Sequence, residues 1–236
     1  MNVKFLLSFF AIVALASCSR PQVSGVNESV KPPVREDIEW LDVWLPNTND
    51  QGLPRVLLIG NSITRAYYPG VESRLKGKAY VGRLSTSKSL GDPALLAEVT
   101  LVLGYGTFDV VHFNNGLHGW GYTEDEYGTA FPELVKTIKE HAPGARLIWA
   151  TTTPVRTGDG MTGFAPQTER VRARNRIASE IINGQDILVN DLFGLVEKQP
   201  GYYDGGDGTH LVGAGVEAMA EQVAAVISGV INTIKE

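Results

Sequence analysis

"LLIGNSITRAYY", residues 57–68, decides the fold: an apolar run without polar alternation passes into Gly-Asn-Ser and then into a segment of helical character. A run of that kind reads as a strand covered on both faces, the habit of parallel α/β sheets. The carboxyl end of such a strand opens where these folds place their ligands. Ser62 stands at that end, and a hydroxyl there is a candidate nucleophile.

Downstream, short apolar runs alternate with helical patterns, which predicts a parallel sheet with helices on both faces. "KAYVGRLS" (78–85) reads as a second strand, "FDVVHFN" (108–114) as a third, "ARLIWAT" (145–151) as a fourth and "DILVNDL" (186–192) as a fifth. Between them, Asp92 and Pro93 open one helix as cap and first residue. Thr123 and Glu126 form a capping-box pattern for another, with Tyr127, Phe131, Leu134, Val135 and Ile138 on one stripe and Pro132 placed to kink or split it. "QTERVRARNRIASEII" (167–182) is a further helix, and the last carries Val216, Met219, Val223, Ile227, Val230 and Ile234 on one side. Right-handed crossovers gather the polar joints after the strands on one edge. The joint at 151–166 is long enough to wall or cover a site there.

The 236 residues, 43% hydrophobic and 20% charged, suit one domain with one sizeable core. A net charge of -5 gives no electrostatic case for a nucleic-acid partner. The chain starts with one lysine, an apolar stretch from Phe5 to Ala16 and small residues before Cys18, which reads as an export signal. "LASC" (15–18) resembles the lipobox of bacterial lipoproteins, which implies lipidation of Cys18, the only cysteine, and an extracytoplasmic, membrane-anchored protein. Residues 19–36, polar with three prolines, read as a flexible tether. The domain is expected over residues 37–236, with "DIEWLDVWLP" (37–46) packed on it.

Serine needs a base to take its proton and a third group to orient that base. Of four histidines, His118 and His210 fall in edge loops. "DGTH" places Asp207 three residues before His210, so one turn can present base and carboxylate together. No Cys/His cluster or phosphate loop is present in the sequence, and no metal or cofactor is expected.

A serine ending the first strand and Asp-x-x-His before the last helix resemble the SGNH (GDSL-like) hydrolases over roughly residues 54–235. The resemblance implies a flavodoxin-like three-layer α/β/α sandwich, with a five-stranded parallel sheet, that hydrolyses esters. "GNSIT" resembles the first block and makes Ser62 the nucleophile, although Asn61 stands where the family usually has Asp. "SLGD" is similar to the second block, whose glycine maps to Gly91, a backbone donor to the oxyanion beside the N–H of Ser62. "DGTH" maps the base to His210 and its acid to Asp207. The third block departs: "GLHG" puts His118 at the place of the family's asparagine donor, while Asn114 and Asn115 just upstream require another register, Asn115 being the alternative donor.

"HFNNGLHGW" with "LIWATTTPV" also looks like exported SGNH proteins associated with polysaccharide breakdown. The resemblance and anchor together imply acetyl or methyl esters on a carbohydrate as substrate, with Trp120 as a sugar platform or loop packing and Arg156 as a partner for a uronate or a solvated surface group. A lysophospholipase or other lipid esterase and a catalytically silent glycan-binding lipoprotein are the competing readings.

Overall fold

The computed structural model describes residues 32–203 and 206–234. The expected leader, Cys18 and the tether up to residue 31 lie outside the described residues. In chain order the elements are β1 (Leu41–Trp44), β2 (Arg55–Gly60), α1 (Ser62–Leu75), β3 (Tyr80–Thr86), α2 (Pro93–Leu103), β4 (Val110–Phe113) and α3 (Glu124–His141). They continue with β5 (Arg146–Ala150), β6 (Arg156–Thr157), β7 (Gly163–Phe164), α4 (Gln167–Ile182), β8 (Ile187–Asn190), α5 (Leu192–Glu197) and α6 (Ala214–Ile234).

The main sheet has the order β1-β3-β2-β4-β5-β8. The five expected strands are parallel neighbours, and β1 adds a sixth, antiparallel to β3, at the edge. Its register runs from Leu41 opposite Thr86 to Trp44 opposite Arg83, and the Arg83 guanidinium meets Asp42 at 3.0 Å. Because β3 and β4 flank β2 on opposite sides, the chain reverses its direction of travel across the sheet at the carboxyl end of β2. A crevice opens at such a reversal, and Ser62 lies there.

Alternation along β2 builds both cores. Val56 and Leu58 face α1 and α6, packing with Tyr67, Val71, Met219 and Val223, whereas Leu57 and Ile59 face Leu95, Val99, Phe131 and Ile138 of α2 and α3. All four β2 side chains are buried, so truncating one to alanine costs about 2–5 kcal/mol. That burial makes β2 a rigid base for Ser62.

Local chemistry sets the helix ends. Asn61 caps α1 by accepting the Ile63 N–H at 2.9 Å, and Asp92 caps α2 by accepting from Ala94 at 2.9 Å. The capping box at Thr123 and Glu126 forms in both directions. The expected break at Pro132 does not occur, and α3 is continuous through it. The ring of Pro132 is exposed while Phe131 packs against Tyr127, Phe113 and Trp149, and that packing holds the helix across the missing hydrogen bond. The long joint at 151–166 folds into the small β6–β7 hairpin with a 3-10 turn at its tip.

Candidate active site

Gly60 lets β2 turn straight into α1: a Cβ there would lie 2.1 Å from the Thr64 hydroxyl. Ser62 is consequently the first helical residue, its N–H free of any intrahelical partner and at the positive end of the helix dipole. Asn61, where the resembled sequences have aspartate, does the capping with its side-chain oxygen.

Before α6, Asp207 and His210 share one turn. One Asp207 oxygen accepts the backbone N–H groups of Thr209 and His210, both at 2.8 Å, and the other meets His210 Nδ1 at 2.7 Å. Burial pushes the Asp207 carboxyl up, but these hydrogen bonds outweigh it and hold the group at about 2. An ionised Asp207 fixes the proton of His210 on Nδ1, so Nε2 presents its lone pair. That atom lies 2.7 Å from Ser62 Oγ. A polarised serine, a base and an orienting carboxylate therefore stand in line, an arrangement able to generate an alkoxide-like nucleophile.

The β6–β7 hairpin buttresses this turn from behind, where a wall or lid was expected. Arg156 N donates to Gly208 O at 2.7 Å, and Gly208, at φ +79°, comes so close that a Cβ would lie 2.0 Å from Arg156 O. The Arg156 side chain does not reach for substrate. It is buried, donating to the carbonyls of Met161 and Glu197, with Phe164 and Tyr203 against its guanidinium. A loop arginine that finds several carbonyls and two rings gains more from packing than from water.

The third-block loop is fixed by residues the sequence did not single out. Arg174, buried on α4, donates to the carbonyls of Gly116, His118 and Gly119 at 2.9–3.1 Å. Its burial pushes the guanidinium pKa down, and neighbouring Arg170 adds to that, with Glu124 opposing. Arg170, one turn earlier, donates to the carbonyls of Trp120 and Tyr122. Both guanidinium groups lie against the half-buried Trp120 ring, which packs the loop onto α4. The only signal in the sequence was the i, i+4 spacing of the two arginines on one helix face.

Neither asparagine of this loop is free. Asn115 accepts from Leu90 N at 3.1 Å and donates to Lys88 O at 2.8 Å, tying the third-block loop to the one that carries Gly91. Asn114 donates to Ala150 O at 2.7 Å and to Thr152 Oγ1 at 3.0 Å. His118 Nδ1 meets Glu36 Oε1 at 3.1 Å. Gly91 N has no hydrogen-bond partner among the described residues.

No family model and no curated protein matches the sequence. Solved structures do. A GDSL-like lipase from Bacteroides thetaiotaomicron superposes with a TM-score of 0.58 at 16% identity, over 74% of this chain and 88% of that one. A carbohydrate esterase family 3 protein from Talaromyces cellulolyticus gives 0.59 at 14%, over 76% and 99%. A carbohydrate acetylesterase from Sinorhizobium meliloti gives 0.61 at 14%, over 75% and 99%. The fold is that of the SGNH (GDSL-like) hydrolases.

Proposed function

We propose that this chain is a serine hydrolase that cleaves carboxylic esters, with acetyl or methyl esters on polysaccharides as its substrates. The observation that carries the reading is the Ser62–His210–Asp207 line, with both of its hydrogen bonds at 2.7 Å. Ser62 Oγ attacks the ester carbonyl while His210 Nε2 takes its proton. Asp207 holds the imidazole and balances the imidazolium that forms. The N–H groups of Ser62 and Gly91 receive the oxyanion, aided by the N-terminus of α1. His210 then protonates the leaving alcohol, and a water molecule repeats the sequence on the acyl-enzyme.

Two supports favour a glycan over a lipid. The side chains of His210 and Asp207 are 46% and 58% exposed, an open setting that suits a group displayed on a polymer better than an acyl chain needing an apolar trench. Two of the similar structures are a carbohydrate esterase and a carbohydrate acetylesterase by name. Lipidation at Cys18 would hold the enzyme outside the cytoplasm, where such polymers are met.

The test is hydrolysis of a panel of acetylated and methyl-esterified polysaccharides beside a lysophospholipid, by wild type and Ser62→Ala, with fluorophosphonate labelling of both. Labelling of wild type alone and release of acetate or methanol are expected. Undiminished turnover by folded Ser62→Ala would refute the mechanism, and release of fatty acid alone would refute the substrate class.

A further inference from the structure

The segment just before β1, expected to belong to the tether as far as residue 36, is bound across the loops of the site. Val34 N donates to Tyr122 Oη at 2.8 Å, Arg35 Nε meets Asp92 Oδ2 at 2.9 Å, and Trp40 N donates to Ser87 Oγ at 2.9 Å. Between them Glu36 Oε1 takes His118 Nδ1 at 3.1 Å and the N–H of Gly119 at 3.5 Å. The strap thus supplies a carboxylate to the one third-block side chain whose polar tip is not fully committed.

That contact fixes what His118 can offer. A carboxylate accepts and never donates, so Nδ1 carries the ring proton. In the neutral ring Nε2 is then a bare acceptor, and it is the atom left accessible without a partner among the described residues. A neutral His118 in this pairing has no N–H to give an oxyanion. Its backbone is equally set: the His118 carbonyl accepts from Arg174 at 2.9 Å, and the loop leaves β4 beside the end of β2, where Asn114 N donates to Ile59 O at 3.0 Å. The loop that carries this nitrogen therefore opens on the same edge of the sheet as Ser62.

We infer that Glu36 and His118 form a specificity pair, in which Nε2 of His118 accepts a hydrogen bond from a hydroxyl of a polyol ester bound at Ser62. Glu36 is the positioning residue and His118 the group that touches substrate. The inference rests on the proposed ester hydrolysis and assigns the hydroxyl-bearing part of the substrate to this side of the site. An ester of a sugar has a neighbouring hydroxyl to donate, and an aryl acetate has none.

The experiment compares kcat/KM for a mono-acetylated methyl glycoside with kcat/KM for p-nitrophenyl acetate, using full-length wild type, Glu36→Ala, His118→Ala, the double variant and His118→Gln. The ratio of the two is expected to fall about tenfold in His118→Ala, the size of one lost hydrogen bond. Glu36→Ala should lower it by less, the double variant no further than His118→Ala, and His118→Gln, whose amide oxygen also accepts, should recover part of it. Thermal melting and fluorophosphonate labelling of Ser62 report on fold and nucleophile in every variant. A ratio unchanged in His118→Ala, with both substrates slowed alike, would overturn the inference and make His118 an oxyanion donor. Independent, multiplying effects of the two single substitutions would overturn the pairing. Wild type that neither labels nor hydrolyses any ester would instead refute the proposed function and remove the ground of this inference with it.

Discussion

Acidification below pH 6.5 should destabilise this protein through one core residue outside the proposed site. His112 lies in β4 with its ring fully buried, Nε2 3.1 Å from Asn190 Nδ2 and the ring edge-on to Tyr67. Asn190 Oδ1 in turn accepts from Gln222 Nε2 of α6 at 2.8 Å. Burial lowers the His112 pKa from 6.5 to about 4. Between those two values the unfolded chain binds a proton that the folded chain refuses, so stability falls with pH and levels off below about 4. At about 1.4 kcal/mol per pH unit the full loss from this group is on the order of 3 kcal/mol. Asp207 does not contribute in that window, because its depressed pKa affects stability only as pH falls below 3.8 toward about 2. Urea denaturation at a series of pH values from 7.5 to 4 measures the slope. His112→Leu should cost about 1–3 kcal/mol at pH 7, where it strands the Asn190 amide, yet abolish most of the decline below pH 6.5. An equally steep decline in the variant would refute the reasoning.

Other expectations concern the site and the anchor. Asp207→Asn should lower kcat on the order of 10⁴-fold, with the fold retained, because the amide no longer fixes the ring proton of His210 on Nδ1; a loss below tenfold would count against the triad. Since Asp207 is held at about 2, this carboxylate should add no acid limb to the wild-type rate profile above about pH 4, as a pH series of kcat/KM would show. Gly208→Ala should cost about 10²-fold in kcat, because its Cβ would strike the Arg156 carbonyl and shift the Asp207–His210 turn. Kinetics on the soluble variant, with its melting temperature, separates displacement from unfolding. Wild type produced in a bacterial host should carry lipid on Cys18 and sediment with membranes, and Cys18→Ser should do neither; mass spectrometry of the mature amino terminus reads the outcome directly.

What the sequence disclosed follows from the range of the interactions involved. Val56 to Ile59 is buried on both faces, and burial of that kind writes itself into composition, so the parallel strands and their order along the chain were legible. Asp207 and His210 share a turn, and Ser62 ends the strand that turn must meet. β1 was legible only as a packed segment: Leu41 and Trp44 are exposed, and its pairing depends on Arg83 and on hydrogen bonds from Trp40 to Ser87, more than forty residues away. Arg156 was misread as a surface group because the carbonyls that bury it come from Met161 on its own loop and Glu197 at the end of α5. Glu36 meets His118 across 82 residues, with no local pattern at either end.

The third-block loop departs from the resembled pattern, yet the structure holds it firmly in the frame of the fold. Arg174 draws three of its carbonyls inward, Asn115 binds it to the loop bearing Gly91, and the strap closes over it through Glu36 and Val34. Each of these commits a polar group to the scaffold, so rigidity here is obtained by spending candidate donors on it. In the proposed mechanism, oxyanion stabilisation is then left to backbone N–H groups, those of Ser62 and Gly91, whose positions are dictated by the start of α1 and by the loop Asn115 holds. On that account Asn115 acts through Gly91: its removal would loosen a donor without deleting one. Loss of Asn115 would therefore weaken the transition state and the local fold together, whereas loss of His118 would weaken the choice of substrate.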